Sequence, residues 1–289
     1  MKRSVRICLV ALCSVLFVSF LGSGTIYAQA NIVEENTTEA NAASETTDAD
    51  DDEKGDLLGT YSTNYENSTD NRIANIEAAV SYIDGTVLLP GEEFSFVDTV
   101  GPFTEANGYY TATSYSAGEI VESMGGGVCQ VSTTLYNAVL RAELTVTERN
   151  NHSMTVDYVP LAADAMIATG SSDFCFRNDY ADAVTIEAEA VDGVLTISIY
   201  GTETRDENRT IEFVSITEEV IDPGEDVVTE DGSLSEGSVI VTQATHMGYV
   251  ASLYKYIYID GELESKEVIN TSTYKASPRY ITIGTGKEN

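Results

Sequence analysis

Three consecutive glycines, Gly125-Gly126-Gly127, run straight into Val128-Cys129-Gln130 and then into a segment with helical spacing. Three residues without side chains cost much backbone entropy on folding, so a chain keeps them where it turns tightly or where something approaches the backbone closely. Val131, Leu135, Ala138 and Ala142 share one helical face, with Val139 beside them, which predicts a helix over 131–142. The start of a helix carries N–H groups without intrahelical partners and the positive end of the macrodipole. A cysteine placed there is biased towards its thiolate. Any fold this chain adopts has to accommodate that turn.

The elements around it are mixed. Asp70-Asn71 can cap a helix carrying Ile73, Ile76, Ala79, Val80 and Ile83, which ends at Gly85. Short strands are expected at 93–97, 115–121, 144–148 and 153–159, and a hairpin at 184–190 and 194–200 around Asp192-Gly193. Residues 201–210 are polar and form the best internal boundary. Beyond them only strands are expected, at 211–217, 238–242, 249–259, 267–271 and 280–283, with Asp260-Gly261 as a further hairpin turn. The fold class is therefore α+β: a mixed domain over 57–204 followed by a small all-β module over 205–289.

The N-terminus speaks to compartment. Lys2, Arg3 and Arg6 precede an apolar run from Ile7 to Leu21, and Ala28-Gln29-Ala30 is a small-x-small cleavage pattern. Residues 1–30 are thus expected to be a secretory signal peptide, its run short of the roughly 20 residues needed to span a bilayer. An uncleaved signal would instead anchor the chain. Residues 31–56 hold ten acids and one base and almost no large apolar residues, the composition of an extended, disordered linker. The chain as a whole carries −32, and the folded part shares in it. Such a surface repels phosphate, which excludes nucleic acid as a partner.

With Cys8 and Cys13 in the signal, Cys129 and Cys175 remain, and these two can pair or stay free. Cysteine-dependent acyl transfer needs a thiolate and a general base, most often imidazole. His152 and His246 are the two histidines of the chain. Cys129 is the candidate nucleophile, with a buried structural thiol and a disulfide as alternatives. Gly126 and Gly127 would let a substrate approach, and free N–H groups at the turn would form an oxyanion hole. No lysine follows the glycines, so this is not a Walker-type phosphate loop. His152 follows Cys129 by 23 residues, enough for a returning strand to bring imidazole to thiol. His246 has no such companion. For a residue orienting the imidazole, Asp157 falls on the opposite face of the expected strand, while Asp164, Asn151 and Ser153 all remain open. The acids follow no metal-ligand spacing, so neither metal site nor cofactor is expected beyond diffuse binding of divalent cations.

The run Gly125-Gly126-Gly127-Val128-Cys129-Gln130-Val131-Ser132-Thr133-Thr134-Leu135-Tyr136-Asn137-Ala138 resembles the signature of the VanW family. Glu148-Arg149-Asn150-Asn151-His152-Ser153, Tyr158-Val159-Pro160, Asp164-Ala165 and, upstream, Leu89 to Phe96 and Gly108-Tyr109 follow its pattern in the same order. The resemblance spans about residues 60–200. It implies a cell-wall enzyme of the kind associated with L,D-transpeptidation of peptidoglycan. Cys129 would attack the carbonyl of the third stem residue and His152 would be the base, with Gln130 and Ser132 in supporting roles. The partners would be stem peptides and glycan strands. The family commonly has Gly-Arg before the aspartate, where this chain has Ala162-Ala163. Gly237, Gly248, Gly261 and the ending Ser277 to Thr285 resemble a G-five domain, which implies wall or amino-sugar binding. The rival reading is a non-catalytic wall-binding protein in which Cys129 is structural.

Overall fold

The computed structural model describes residues 54–116 and 119–286. The expected signal peptide and the linker up to residue 53 lie outside the described residues. The first strand, β1 (Asp56–Asn64), opens inside the last residue of the expected linker, because Asp56 is already paired with Gly201.

The mixed domain is built on a sheet that joins the two ends of its sequence. β1 pairs with β9 (Val194–Gly201), β9 with β8 (Val184–Val191), and β8 with the short β2 (Thr86–Leu88), giving the order β1-β9-β8-β2. The β8–β9 turn at Asp192-Gly193 has φ of 51° and 80°, the left-handed pair that a two-residue hairpin demands. Two helices cover this sheet. α1 (Asp70–Ile83) buries Ile76, Ala79, Val80 and Ile83, as its spacing predicts. Its cap is Thr69, however, and Asn71 donates instead to the Thr111 carbonyl at 2.9 Å.

α3 (Val128–Arg141) begins three residues earlier than the apolar spacing predicts and is buried on all sides. Gln130, Ser132, Thr133, Thr134 and Asn137 are buried along with Val131, Leu135 and Val139. A helix with no solvated face has to satisfy its polar side chains internally, and here each is hydrogen-bonded. Those bonds fix the segments around it.

Several expected strands take other forms. The strand at 93–97 stops at β3 (Glu93–Ser95), because Ser95 accepts from the Asp98 N–H at 3.2 Å and caps α2 (Phe96–Val100). The strand at 115–121 is a hairpin of β4 (Thr111–Ser116) and β5 (Glu119–Met124), with Thr111 opposite Met124. The strand at 153–159 does not form. Between β6 (Thr145–Glu148) and β7 (Cys175–Arg177), residues 149–174 make no ladder, only isolated bridges such as Asn150 with Met166. Met154 and Val159 are both buried at an odd spacing that one face of a strand cannot supply, so the segment folds as an irregular loop. β7 lies between β3 and β6 in a small second sheet.

The all-β module has two sheets of three strands. One has the order β10 (Arg209–Ile221), β13 (Gly248–Ile259), β14 (Glu262–Tyr274); the other has β11 (Val227–Ser235), β15 (Tyr280–Gly286), β12 (Val239–Gln243), with β11 and β15 parallel. β11 escapes the sequence pattern because its residues are mostly polar and exposed. No helix among the described residues is long and apolar enough to cross a membrane.

Glu143, just past α3, pins the module to the mixed domain. It accepts from Arg209 at 2.5 and 2.8 Å and from Lys255, and lies 3.5 Å from Arg205. Burial raises its carboxyl, but the bonds from Arg209 and Lys255 prevail and hold it at about 2 against an ordinary 4.5. A depressed carboxyl stabilises the fold fully above the ordinary value and loses that contribution as pH falls through the folded one. Glu143→Gln is therefore expected to melt below the parent protein above pH 4.5, with the gap closing as pH approaches 2. Thermal melts of both proteins across that range check this.

Candidate functional site

The glycine turn owes its shape to what packs against it. Asn75, fully buried on α1, donates to the Gly126 carbonyl at 2.8 Å and to the Tyr110 carbonyl at 3.0 Å, and accepts from the Tyr110 N–H. A Cβ on Gly126 would lie 2.5 Å from the Ala112 carbonyl oxygen and 2.7 Å from that of Thr113. Gly127 caps α3 at φ 108°, and a Cβ there would meet Arg72. Both glycines are thus needed for the close approach of this protein's own backbone and side chains. The Val128 and Gln130 N–H groups are bound to the carbonyls of Gly125 and Gly127. The expected oxyanion hole is correspondingly narrower than a free helix start would offer.

Cys129 follows this turn, partly exposed, with its Sγ 3.5 Å from the Ile167 carbonyl oxygen. Neither Cys129 nor Cys175 is in a disulfide. Burial pushes the Cys129 thiol up, yet a hydrogen bond and charge from His152, with a backbone hydrogen bond from Ile167, outweigh it and hold the thiol below its ordinary value. Cys175 is the opposite case. Burial and the carboxylates of Asp173, Glu148 and Glu93 push it up to about 12.

His152 sits in the irregular loop with only 5% of its surface exposed. Its Nδ1 donates to Asp164 Oδ2 at 2.7 Å, and its backbone N–H donates to the same oxygen at 2.7 Å. Burial disfavours the imidazolium, but the bonds and charges of Asp164 and Cys129 raise its pKa to about 9. Asp164 is fully buried. Burial raises its carboxyl, and His152 and Arg149 together bring it below the ordinary value. Its other oxygen, Oδ1, accepts from Arg149 Nη2 at 3.0 Å and from the Tyr274 hydroxyl at 2.5 Å. Cys129, His152 and Asp164 stand in sequence, the thiol held below its ordinary value and the imidazole raised above its own, an order of groups that thiol acyl transfer uses.

Each further residue singled out in the sequence has a definite place. Gln130 is a strut: its Nε2 donates to Thr63 Oγ1 and the Asn64 carbonyl, and its Oε1 accepts from Arg72. Ser132 donates to the Ala165 carbonyl at 2.6 Å, fixing the residue after Asp164 against α3. Asn151 bonds the His152 and Thr273 carbonyls, and the Ser153 carbonyl accepts from the Lys275 N–H. Asn151 and Ser153 therefore hold the loop, while Asp164 meets the imidazole. Asp157 is exposed and takes no part, and the His246 backbone pairs with Ser277 in the module.

Three residues to which the sequence assigns no role belong here, although Arg149 and Tyr158 lie in the runs that carry the family resemblance. Arg149 reaches Asp164 from three positions before His152, and Tyr274 reaches it from 110 residues downstream. Tyr158 lies in the field of the Cys129 thiolate and the Asp164 carboxylate. Burial first, and then those charges, lift its phenol well above its ordinary value despite a hydrogen bond with Thr133. Ala162 adopts φ 63°, a left-handed conformation in which glycine is at ease, which fits the Gly-Arg that the resembling family has before its aspartate.

A family model for VanW-like proteins matches residues 71–200, and one for the G5 domain matches 212–286. The chain is similar to an uncharacterized protein, YoaR, of Bacillus subtilis (strain 168), 40% identical over 146 residues, covering 50% of this chain and 48% of the relative. It is also similar to the vancomycin B-type resistance protein VanW of Enterococcus faecalis (strain ATCC 700802 / V583), 29% identical over 133 residues, covering 43% of this chain and 48% of the relative. The chain thus spans about half the length of the curated relatives it matches. Among solved structures, the G5 domain of an IgA1 protease is 30% identical, with a TM-score of 0.21, covering 27% of this chain and 94% of that one.

Proposed function

We propose that this chain, with a VanW-like domain over residues 71–200 followed by a G5 domain over 212–286, is an exported, cysteine-dependent acyltransferase of the cell wall. The observation that carries this is the Cys129–His152–Asp164 sequence, in which the thiol is lowered, the imidazole raised and the carboxylate fixed by four donated bonds.

The reaction is an L,D-transpeptidation. The Cys129 thiolate attacks the carbonyl of the third stem residue, forming an S–C bond. As the C–N bond to the terminal D-amino acid breaks, the His152 imidazolium gives its proton to the leaving amine. Neutral His152 then takes a proton from the side-chain amine of a second stem, whose nitrogen displaces the thiolate and leaves a 3–3 cross-link. Water in place of that amine would make the enzyme a carboxypeptidase. Throughout, Asp164 holds Nδ1–H and keeps Nε2 turned towards sulfur.

Purified protein incubated with muropeptides tests this by mass analysis of the products. Cross-linked dimers or released D-amino acid that disappear in Cys129→Ala and His152→Ala are expected. Unchanged muropeptides, with the protein sedimenting on sacculi, would replace this reading with that of a non-catalytic wall binder. A simpler signature is also expected: iodoacetamide at neutral pH alkylates Cys129 well ahead of Cys175, since His152 lowers the first thiol while burial and nearby carboxylates raise the second.

A further inference from the structure

Cys129, His152 and Asp164 all lie in the VanW-like domain, yet one wall of their site comes from the G5 module. β14 of the G5 module runs along the loop that carries His152 and Asp164, and Asn270, Ser272 and Tyr274 alternate along the strand so that all three point to that loop. Asn270 Nδ2 donates to the Ala162 carbonyl and to the Tyr136 hydroxyl, each at 2.9 Å. Ser272 Oγ accepts from Arg149 Nη1 at 2.8 Å. The Tyr274 hydroxyl accepts from the Ala162 N–H at 2.7 Å and donates to Asp164 Oδ1 at 2.5 Å. The backbone joins in on the His152 side: the Thr273 carbonyl accepts from Asn151, and the Lys275 N–H donates to the Ser153 carbonyl at 2.7 Å.

These bonds bracket the loop. Those from Thr273 and Lys275 hold the residues on either side of His152, and those from Asn270, Ser272 and Tyr274 hold the residues around Asp164. Tyr274 is itself only 1% exposed, so its hydroxyl has no water to turn to. Ordinary domain docking calls for apolar cover and a few rim bonds. Here three side chains and two backbone groups are spent on one loop, and two of the side-chain bonds end on the acid of the triad or on its guanidinium partner. We infer that β14 of the G5 module is a positioning strand of the thiol site, with Tyr274 and Ser272 holding Asp164 and Arg149 so that His152 faces Cys129. This rests on the Cys129–His152 reading proposed above.

Tyr274→Phe keeps the ring and removes the hydroxyl. Asp164 Oδ1 then loses a donor in a place without water, and the carboxylate can compensate only by rotating away or taking up a proton. Either change loosens His152, the group that opposes the upward pull of burial on the Cys129 thiol. The test is the pH profile of Cys129 alkylation by iodoacetamide in the full chain, with melting temperature measured alongside. The midpoint is expected to rise by about one pH unit in Tyr274→Phe, read as about tenfold slower alkylation below it. A smaller rise is expected in Ser272→Ala, which decides the matter should Tyr274→Phe not fold. His152→Ala separates this inference from the reading beneath it. A profile that moves in His152→Ala but stays fixed in the folded module variants overturns the positioning role alone. A profile that His152→Ala leaves fixed overturns the Cys–His couple as well. A lowered melting temperature with an unmoved profile would make Tyr274 a docking residue only, which also overturns the inference.

Discussion

Asp164→Asn is expected to cost both activity and stability, and more of each than any other isosteric change in the protein. The carboxylate accepts two bonds at Oδ2, from the His152 backbone and ring, and two at Oδ1, from Arg149 and Tyr274. An asparagine has one accepting oxygen and one donating nitrogen. Whichever way the amide turns, its NH2 meets a donor: His152 N–H on one side, the Arg149 guanidinium on the other. The ring could answer by moving its proton to Nε2, but that tautomer cannot act as a base towards Cys129. Acyl transfer should fall by about three to four orders of magnitude. The folded state also keeps Arg149 buried without its counter-charge, a loss of about 3–5 kcal/mol. Thioester formation in a rapid-quench assay and chemical unfolding measure the two separately. A variant with parental stability and parental rate would show that Asp164 neither orients His152 nor balances Arg149.

Gly126→Ala is expected to have the second largest effect, and through the backbone. Its φ is not the difficulty. The added methyl would stand 2.5 to 2.7 Å from Ala112 and Thr113, in each case against main-chain atoms of β4 that no rotamer change can remove. The hairpin β4–β5 has to move off, or the turn before α3 has to move, and the second of these carries Cys129 with it. A destabilisation of about 3 kcal/mol is expected, with Cys129 alkylation losing its preference over Cys175. Gly127→Ala meets a softer obstacle, the Arg72 side chain, but at φ 108° it is strained even where there is room. Comparing the two by melting temperature and by alkylation distinguishes loss of space from loss of conformational freedom. Equal stability of Gly126→Ala and the parent protein would refute the close packing described here.

Much of this was legible in the chain and some was not, for reasons that can be located. α1, the hairpin turns at Asp192 and Asp260, and the long module strands follow from periodicity and turn chemistry, both of which are local. Cys129 at a glycine-marked helix start is local too, and so is the small distance in sequence to His152. The returning strand expected between 153 and 159 does not form because Met154 and Val159 are both buried at an odd spacing that one face of a strand cannot supply. Asp164 could not be preferred over Asn151 or Ser153, since the choice rests on which side chain the loop folds beneath the ring. Tyr274 was beyond reach altogether. Nothing in a tyrosine near the end of a strand says that its hydroxyl will meet a carboxylate 110 residues earlier. The polar run inside α3 was visible, but its meaning was not: Ser132, Thr133 and Asn137 are there to hold residues 163–165 in place.

The bond from Tyr274 to Asp164 also sets a timetable. A ribosome delivers the chain N-terminus first, so Cys129 and His152 exist as polymer long before β14 does, and domains fold as they emerge. During that interval the VanW-like segment can collapse around α3, but Asp164 lacks its tyrosine, Arg149 lacks Ser272 and Ala162 lacks an acceptor for its N–H. The site becomes fully bonded only when residue 274 of 289 is in place. A chain truncated before β14 would therefore carry its cysteine without the completed surroundings.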